Sequence, residues 1–399
     1  MTPLLLADLL LCLLALPLLC CCGYLLVFAL CAFRTAPPPG APAPLRFDVI
    51  VPAHDEEAGI ARTVAGLLAM DWPRQDFRVR VVADNCSDAT AERARSAGAE
   101  VLVRENREQR GKGYALEHAF ERSLADGFAG ALVVVDADTQ VSPNLLRAFA
   151  ARLHAGERAV QADYAVANPE ASWRTRLLAV ALGMFHVERS RARERLGVSC
   201  GLRGNGMCFS VEALRRVPHQ AFSLVEDVEY GARLAQAGIR VAYADEAHVY
   251  GEMVSRGAAA STQRDRWERG RRKLRALGLS LLRGAFVKRS GMLFDVAMDL
   301  LMPPLSRIVA LCLLGGAASL AVSLLAHRPA ASLVAWLVCL GCVLCYVVRG
   351  WAASGTGARG LGALAFAPVY LAWKATLLLR RGGGSEWIRT TREGQPPPP

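Results

Sequence analysis

The sequence predicts an α/β protein: a Rossmann-like, mostly parallel sheet in the middle of the chain, carried between terminal segments that enter a membrane. Three observations predict it. Short valine-rich runs alternate with helical stretches of about ten residues from Phe47 to Val135, the pattern of strands joined by crossover helices. Each of those runs ends in a polar, acidic or glycine-rich loop, and in a parallel sheet such loops gather along one edge. The chain is 53% hydrophobic, high for a soluble protein, and the excess lies at its two ends.

From Leu4 to Phe33 the only charged residue is Asp8, and the run exceeds the ~20 residues a spanning helix needs. It lacks the basic start of a cleaved signal, so residues 1–33 read as a retained anchor. Arg34, Arg46 and Arg62 follow it and no basic residue precedes it. The excess of positive charge on that side puts the N-terminus outside and the middle domain in the cytoplasm. Residues 34–44 are rich in proline and alanine, a stiff spacer.

A catalytic domain is expected over residues 45–255. Phe47–Pro52 forms its first strand and Ala53-His-Asp-Glu-Glu57 the loop behind it, followed by a helix to Met70. Arg78–Ala83 is the second strand, Asp84-Asn-Cys-Ser-Asp88 its loop and Ala89–Ala97 the next helix. Glu100–Val103 is a third strand. A helix starts at Arg110-Gly-Lys-Gly113, and Ala131–Val135 is a fourth strand, opening onto Asp136 and Asp138. Beyond it, Ala159–Val166 and Arg240–Ala244 read as strands, Trp173–Arg195 as one long helix and Gly201–Gly206 as a tight loop.

Residues 256–304 read as amphipathic, interfacial helices, strongly basic at first. Leu305–Ala326 and Ala331–Val348 are long enough to span. Leu361–Leu379 carries Pro368 and Lys374 and reads as an interfacial or re-entrant helix, with a third span as the alternative, ahead of a tail over 381–399.

Net charge is +11, from 47 basic and 36 acidic residues. Its densest run, Arg264–Lys273, lies just ahead of the C-terminal apolar segments, which favours anionic lipid over nucleic acid. The 12 cysteines show no paired metal-ligand spacing and gather in apolar surroundings, so they read as small hydrophobes.

Acidic loops converging on one edge repel one another unless a cation joins them. Mg²⁺ or Mn²⁺, held by one or two carboxylates and completed by substrate phosphates, is such a cation. Asp136 and Asp138, at i and i+2 of an extended chain, would point to one side. Lys112, between two glycines at a helix start, suits phosphate oxygens. Gln263, Arg266 and Trp267 fall on one helical face.

In order along the chain, Val49-Ile-Val-Pro-Ala-His-Asp-Glu-Glu57, Val82-Ala-Asp-Asn-Cys-Ser-Asp88, Arg110-Gly-Lys-Gly113, Asp136-Ala-Asp138, Val225-Glu-Asp227 and Gln263-Arg-Asp-Arg-Trp267 resemble the membrane-anchored family 2 glycosyltransferases. That family includes the cellulose, hyaluronan and poly-N-acetylglucosamine synthases. The resemblance covers Phe47 to about Lys273 and implies a GT-A-type fold and inverting sugar transfer at the cell membrane, with a divalent metal. It implies Glu56 and Asp84 at the nucleoside of a nucleotide-sugar, expected to be a UDP-sugar. It places Asp136 and Asp138 at the diphosphate, with Asp138 the more direct metal ligand. Asp227 becomes the general base. Gln263, Arg266 and Trp267 become an acceptor-side motif, with Trp267 stacking on sugar and Arg266 reaching the diphosphate. The acceptor would be a glycan or a lipid-linked sugar, with polysaccharide-export subunits as possible partners.

Other readings compete. A tryptophan among arginines also suits an interfacial membrane helix. Val133-Val-Val-Asp-Ala-Asp-Thr139 fits the opening motif of haloacid-dehalogenase-type phosphatases, but that motif opens the first strand and here three strands precede it. A nucleotide-sugar-sensing or scaffold subunit would be betrayed by a lost carboxylate, and none is missing.

Overall fold

The structure, a computed structural model, describes residues 3–40, 45–253 and 274–368. Among them, eight strands form one mixed sheet: β1 (Phe47–Ala53), β2 (Phe77–Asp84), β3 (Glu100–Arg104), β4 (Ala131–Val134), β5 (Thr139–Val141), β6 (Ala159–Val166), β7 (Met207–Ser210) and β8 (Val241–Gly251). Their spatial order is β3-β2-β1-β4-β7-β6-β8-β5. The pairs β1–β2, β1–β4, β2–β3 and β6–β8 are parallel. β7 runs antiparallel between β4 and β6, and β5 lies antiparallel on β8. This is the GT-A-like, mostly parallel sheet.

Both faces are covered, as a parallel sheet requires. α2 (Ile60–Leu68), α3 (Thr90–Ser96) and α5 (Leu145–His154) pack on one face, where Val49, Val51, Val81 and Val133 meet Ile60, Val64, Leu145 and Phe149. α4 (Lys112–Asp126), α8 (Val211–Arg216) and α9 (Glu226–Gln236) cover the other. There Ile50, Val82, Leu132 and Val134 meet Leu116, Phe120, Tyr230 and Leu234. Adjacent strand residues thus point to opposite helical layers, which is why the strands read as unbroken apolar runs.

The stretch expected as one helix from Trp173 to Arg195 is α6 (Trp173–Leu182), a π-turn (Gly183–Glu188) and α7 (Arg189–Arg195). At the π-turn the backbone presses on a long apolar helix, for a Cβ on Gly183 would lie 2.4 Å from the Gly350 carbonyl oxygen. Similarly, the interfacial segment is two helices, α10 (Arg275–Lys288) and α11 (Gly291–Leu301). They are broken where Arg289 takes φ 48° and the Ser290 hydroxyl caps the Leu293 N–H at 3.2 Å.

Three helices are long and apolar enough to cross a membrane: α1 (Pro3–Cys31), α12 (Leu305–Leu325) and α13 (Ala331–Ala353). α14 (Gly357–Leu364) follows. The lone charge of α1 has a task. Asp8 accepts from the backbone N–H groups of Ala331 and Ser332 at 3.0 and 2.9 Å, capping the start of α13 from a neighbouring helix. At the far end Arg349 donates to the carbonyls of Ala29 and Ala32, both at 3.1 Å. These two ties fix α1 and α13 as parallel.

A buried ionic cluster locks the spans to the sheet domain. Arg193 donates to Asp295 (2.8 Å) and Tyr24 (3.2 Å), and Tyr24 donates to Asp295 (2.6 Å). Arg189 donates to Asp299 and to the Tyr346 hydroxyl, both at 2.8 Å, and Tyr346 donates to the Met184 carbonyl at 3.0 Å. Five elements (α1, the π-turn, α7, α11 and α13) thereby share one polar network.

Candidate active site

The parallel half of the sheet delivers three loops to one edge. Behind β1, Glu56 is half-buried and its N–H donates to the Thr90 hydroxyl at 2.8 Å. His54 Nδ1 lies 2.8 Å from the Asp84 carbonyl, so the β1 and β2 loops are tied together. Asp84, at the end of β2, is buried. Its Oδ1 accepts from Arg104 at 2.7 Å and from Asn85 Nδ2 at 3.0 Å. Arg104 also donates to the Gln109 carbonyl at 2.9 Å, which closes the loop leading to Lys112.

Asp136 and Asp138 follow β4, but not on an extended chain. β4 stops at Val134 and residues 137 and 138 form a turn, closed by the Thr139 N–H on the Asp136 carbonyl at 3.1 Å. The argument from strand alternation therefore fails, and the turn holds the two carboxylates instead. Both are half-buried, while Ala137 between them is buried.

Lys112 opens α4. Its Nζ pairs with Asp136 Oδ1, donates to the Gly204 carbonyl at 2.6 Å and lies 4.0 Å from Glu226 Oε1. The chain comes in close here: a Cβ on Gly113 would lie 2.1 Å from the Ala221 carbonyl oxygen, so the position needs glycine. Burial pulls the Lys112 pKa down, but Asp136, Glu226 and Asp227 outweigh it and hold the ammonium above its usual value.

Glu226 and Asp227 begin α9, where the helix N-terminus favours negative charge. Burial, then the neighbouring Asp227, pushes Glu226 up to about 7. Burial raises Asp227 as well, against the opposing pull of backbone N–H groups, Lys112 and Arg203. The two carboxyls are therefore poised closer to neutrality than ordinary acids.

What joins these parts is a loop the sequence marked only as tight. A Cβ on Gly204 would lie 3.4 Å from Asp227 Oδ2, so this loop passes directly beside that carboxyl. Asn205, buried, accepts the Asp136 N–H at 3.1 Å and donates to the Thr139 hydroxyl at 2.7 Å. Gln161 braces the loop by donating to the Asn205 carbonyl at 2.7 Å and accepting the Arg203 N–H at 2.9 Å. Gly204, Asn205, Glu226 and Arg104 are thus neighbours of the expected site that sequence reasoning did not single out. The Gly-Asn-Gly run was the available signal for Gly204 and Asn205, and the Val225-Glu-Asp227 motif for Glu226.

Lys112, Asp136, Glu226 and Asp227 are brought together, with Asp138 on the same turn as Asp136. Glu56 and Asp84 lie on the neighbouring loops of the same sheet edge. Gln263, Arg266 and Trp267 lie outside the described residues. Among the described residues, two groups bring three metal-ligand atoms within 4.8 Å of one another: Cys22, Cys312 and Cys339, and Asp55, Cys86 and Asp88. Neither contains Asp136 or Asp138. The oxygens of Asp55 and Asp88 receive backbone N–H groups of Ser87, Glu57 and Thr90, so that second group is loop architecture. Asp136 and Asp138 offer hard oxygen donors, the chemistry Mg²⁺ or Mn²⁺ takes, and leave room in the coordination set for phosphate and water.

Residues 43–270 match the pattern of the glycosyltransferase like family 2, more than half of the chain. The chain belongs to that family. It thus carries a glycosyltransferase domain of family 2. It is similar to two proteins of Arabidopsis thaliana, probable glucomannan 4-beta-mannosyltransferases 1 and 14. Each is 25% identical, over 232 and 234 residues, covering 55% of this chain and 42% and 44% of theirs. The matched region thus spans less than half the length of those relatives. In fold it is similar to the mannosyltransferase PcManGT from Pyrobaculum calidifontis, solved in complex with GDP-Man and Mn²⁺. That match has a TM-score of 0.52 and 19% identity, and it covers 95% of this chain and 93% of the other.

Proposed function

We propose that this family 2 glycosyltransferase is a membrane-bound enzyme. It transfers a hexose, with inversion, from a nucleoside-diphosphate sugar to a hydroxyl of a glycan or lipid-linked acceptor at the cytoplasmic face of the cell membrane. The observation that carries the reading is the junction at Gly204, where Lys112, Asp136 and Asp227 meet across one loop.

In this reading Glu56 and Asp84 hold the nucleoside. Asp138, with Asp136, holds Mg²⁺ or Mn²⁺, which would screen the diphosphate and stabilise the charge it gains as it leaves. Lys112 adds a fixed ammonium on the same side. Asp227 takes the proton of the acceptor hydroxyl as its oxygen bonds to the anomeric carbon. The bond from that carbon to the phosphate oxygen breaks on the opposite face, and its electron pair leaves with the nucleoside diphosphate. Glu226, held toward its neutral form by burial, lessens the negative charge beside the base. Gln263, Arg266 and Trp267 remain assigned to the acceptor side.

The sequence reading favours a uridine donor. The curated relatives are named for mannosyl transfer, so GDP-mannose stands beside the UDP-hexoses as a first donor to try. Membrane attachment rests on the three apolar helices and on the locked junction with the sheet domain. In this reading α1 and α13, which run parallel, both have their C-terminal ends on the side of the enzyme domain.

The test is to incubate the purified full chain with radiolabelled GDP-mannose and UDP-hexoses, with Mn²⁺ and with chelator, and to determine the anomeric configuration of the product. A metal-dependent product of inverted configuration supports the reading. Retention of configuration, or transfer undiminished by chelator, contradicts it.

A further inference from the structure

Three sulfur atoms meet between the long apolar helices. Cys22 of α1, Cys312 of α12 and Cys339 of α13 each bring Sγ within 4.8 Å of the other two, and all three residues are fully buried. Among the described residues these helices carry nine cysteines, five in α1, one in α12 and three in α13. Only Cys22, Cys312 and Cys339 are buried; the others are half-buried or exposed. Cysteines used simply as small apolar fillers would be buried at unrelated points along three helices. Here every buried one faces the same point.

The neighbours hold that point in register. The Ser332 hydroxyl donates to the Ser319 hydroxyl at 2.9 Å, and the Trp336 ring occupies the place that a Cβ on Gly315 would take. Continued along the antiparallel pair α12 and α13, the same crossing sets Cys312 opposite Cys339. Cys22 enters from α1, between Asp8, which accepts the Ser332 N–H, and Ala29, which accepts from Arg349. Leu25, Phe28, Ile308 and Val343 belong to the same packed cluster and bring no oxygen or nitrogen side-chain donor to compete with sulfur.

We propose that this trio binds a soft monovalent cation, Cu(I), which clamps α1, α12 and α13 together. Sulfur ligands select Cu(I), zinc or iron–sulfur clusters. Structural zinc and iron–sulfur clusters take four protein ligands, and the trio supplies three. Cu(I) is satisfied by three sulfur neighbours and matches the set. Charge points the same way. The metal-binding form of cysteine is the thiolate. As the ion enters, one S–H bond breaks, that sulfur bonds to copper, and the proton leaves to solvent. The other two sulfurs complete the shell through lone pairs. One cation replaces one proton and no electron is transferred, so the site keeps its net charge, as its apolar walls require. None of the sheet-edge residues takes part, so the site stands apart from the transfer reading.

The test uses the full chain purified in detergent, anaerobic and reduced, with Cu(I) as the probe and bicinchoninate as a chelating competitor. Wild type is expected to hold one equivalent of Cu(I) against the chelator, and copper X-ray absorption should show a shell of three sulfurs. Cys22→Ala, Cys312→Ala and Cys339→Ala should each weaken the affinity by more than the ~10–100-fold that an outer-shell change costs. Cys20→Ala and Cys345→Ala, which remove thiols outside the trio, should bind like wild type. Bound Cu(I) should also raise the unfolding midpoint of wild type and of these two controls, and leave that of the trio variants unmoved.

Wild type surrendering its Cu(I) to the chelator would overturn the site, leaving the three thiols as packing groups. An equal loss of affinity in Cys20→Ala would overturn it too, by showing that any thiol of the chain serves. Should the buried substitutions unfold the chain, the wild-type spectrum still decides. A shell containing nitrogen, oxygen or a fourth sulfur contradicts the trio.

Discussion

Two of the charge clusters among the described residues are built on opposite terms. At the junction with the apolar helices, Arg189 and Arg193 face Asp295 and Asp299, two positive against two negative, with Tyr24 and Tyr346 filling the remaining hydrogen bonds. At the sheet edge, among the described residues, Lys112 and the more distant Arg203 face Asp136, Asp138, Glu226 and Asp227, so the acids outnumber the bases. A structural cluster closes its own charge. A site that receives a cation and a diphosphate would leave its charge open, and here burial raises the carboxyl pKa values of Glu226 and Asp227. The same residue types therefore mean different things in the two places, and the difference lies in how completely they are paired.

If the open cluster is the working one, substitutions there cost activity and leave the fold alone. Asp138→Ala is expected to cut transfer by ~10²-fold or more by removing a metal carboxylate whose charge no other group replaces. Its thermal midpoint should stay near that of wild type, and Mn²⁺ affinity with GDP bound, followed by calorimetry, should fall. The closed cluster should behave in reverse. Arg193→Met strands Asp295 and part of Asp299 in a buried setting, so it should cost ~3–5 kcal/mol of stability. Thermal unfolding in detergent would measure it; an unfolding midpoint equal to wild type would mean the junction does not hold the spans.

The pH profile sharpens the contrast next. Glu226 is raised to about 7 and Asp227 above its ordinary value, both chiefly by burial. A base must be ionised, so kcat/KM should climb as pH rises toward neutrality and fall off on the acid side above the usual carboxylate range. The stability linkage has the opposite sign. A carboxyl whose folded pKa is raised stabilises the fold while protonated, and that contribution is lost as pH rises from 4.5 toward about 7. Activity and stability should thus move in opposite directions across this window, as paired rate and melting measurements would reveal. The smallest effect is Asp8→Ala, which removes the cap on α13 and should cost ~0.5–2 kcal/mol with no change in KM.

Much of this was legible in the sequence, and the omissions have physical reasons. The parallel strands were readable because both of their faces are buried, which leaves uninterrupted valine and isoleucine. The three long apolar helices were readable from their length and composition alone. β5 is three residues long and β7 four, too short to show a period, and both are antiparallel insertions that a βαβ pattern does not announce. α5 escaped notice although its burial is extensive. The π-turn left no mark, since Gly183–Glu188 continues a helical composition. Within the site, the sheet-edge pattern brought together Lys112 and Asp136, and the family resemblance added Asp227. They could not reveal that Lys112 would hold Asp136, or that Asn205 would fasten the turn, because both depend on chain crossings 24 and 69 residues apart.

The central claim is that the open cluster performs sugar transfer with Asp227 as its base. Asp227→Asn tests it most directly, with transfer and calorimetric donor binding measured on the same preparation. The account predicts donor affinity close to wild type and transfer reduced ~10²–10⁴-fold. Transfer at the wild-type rate, or a parallel loss of donor binding and transfer, would contradict it.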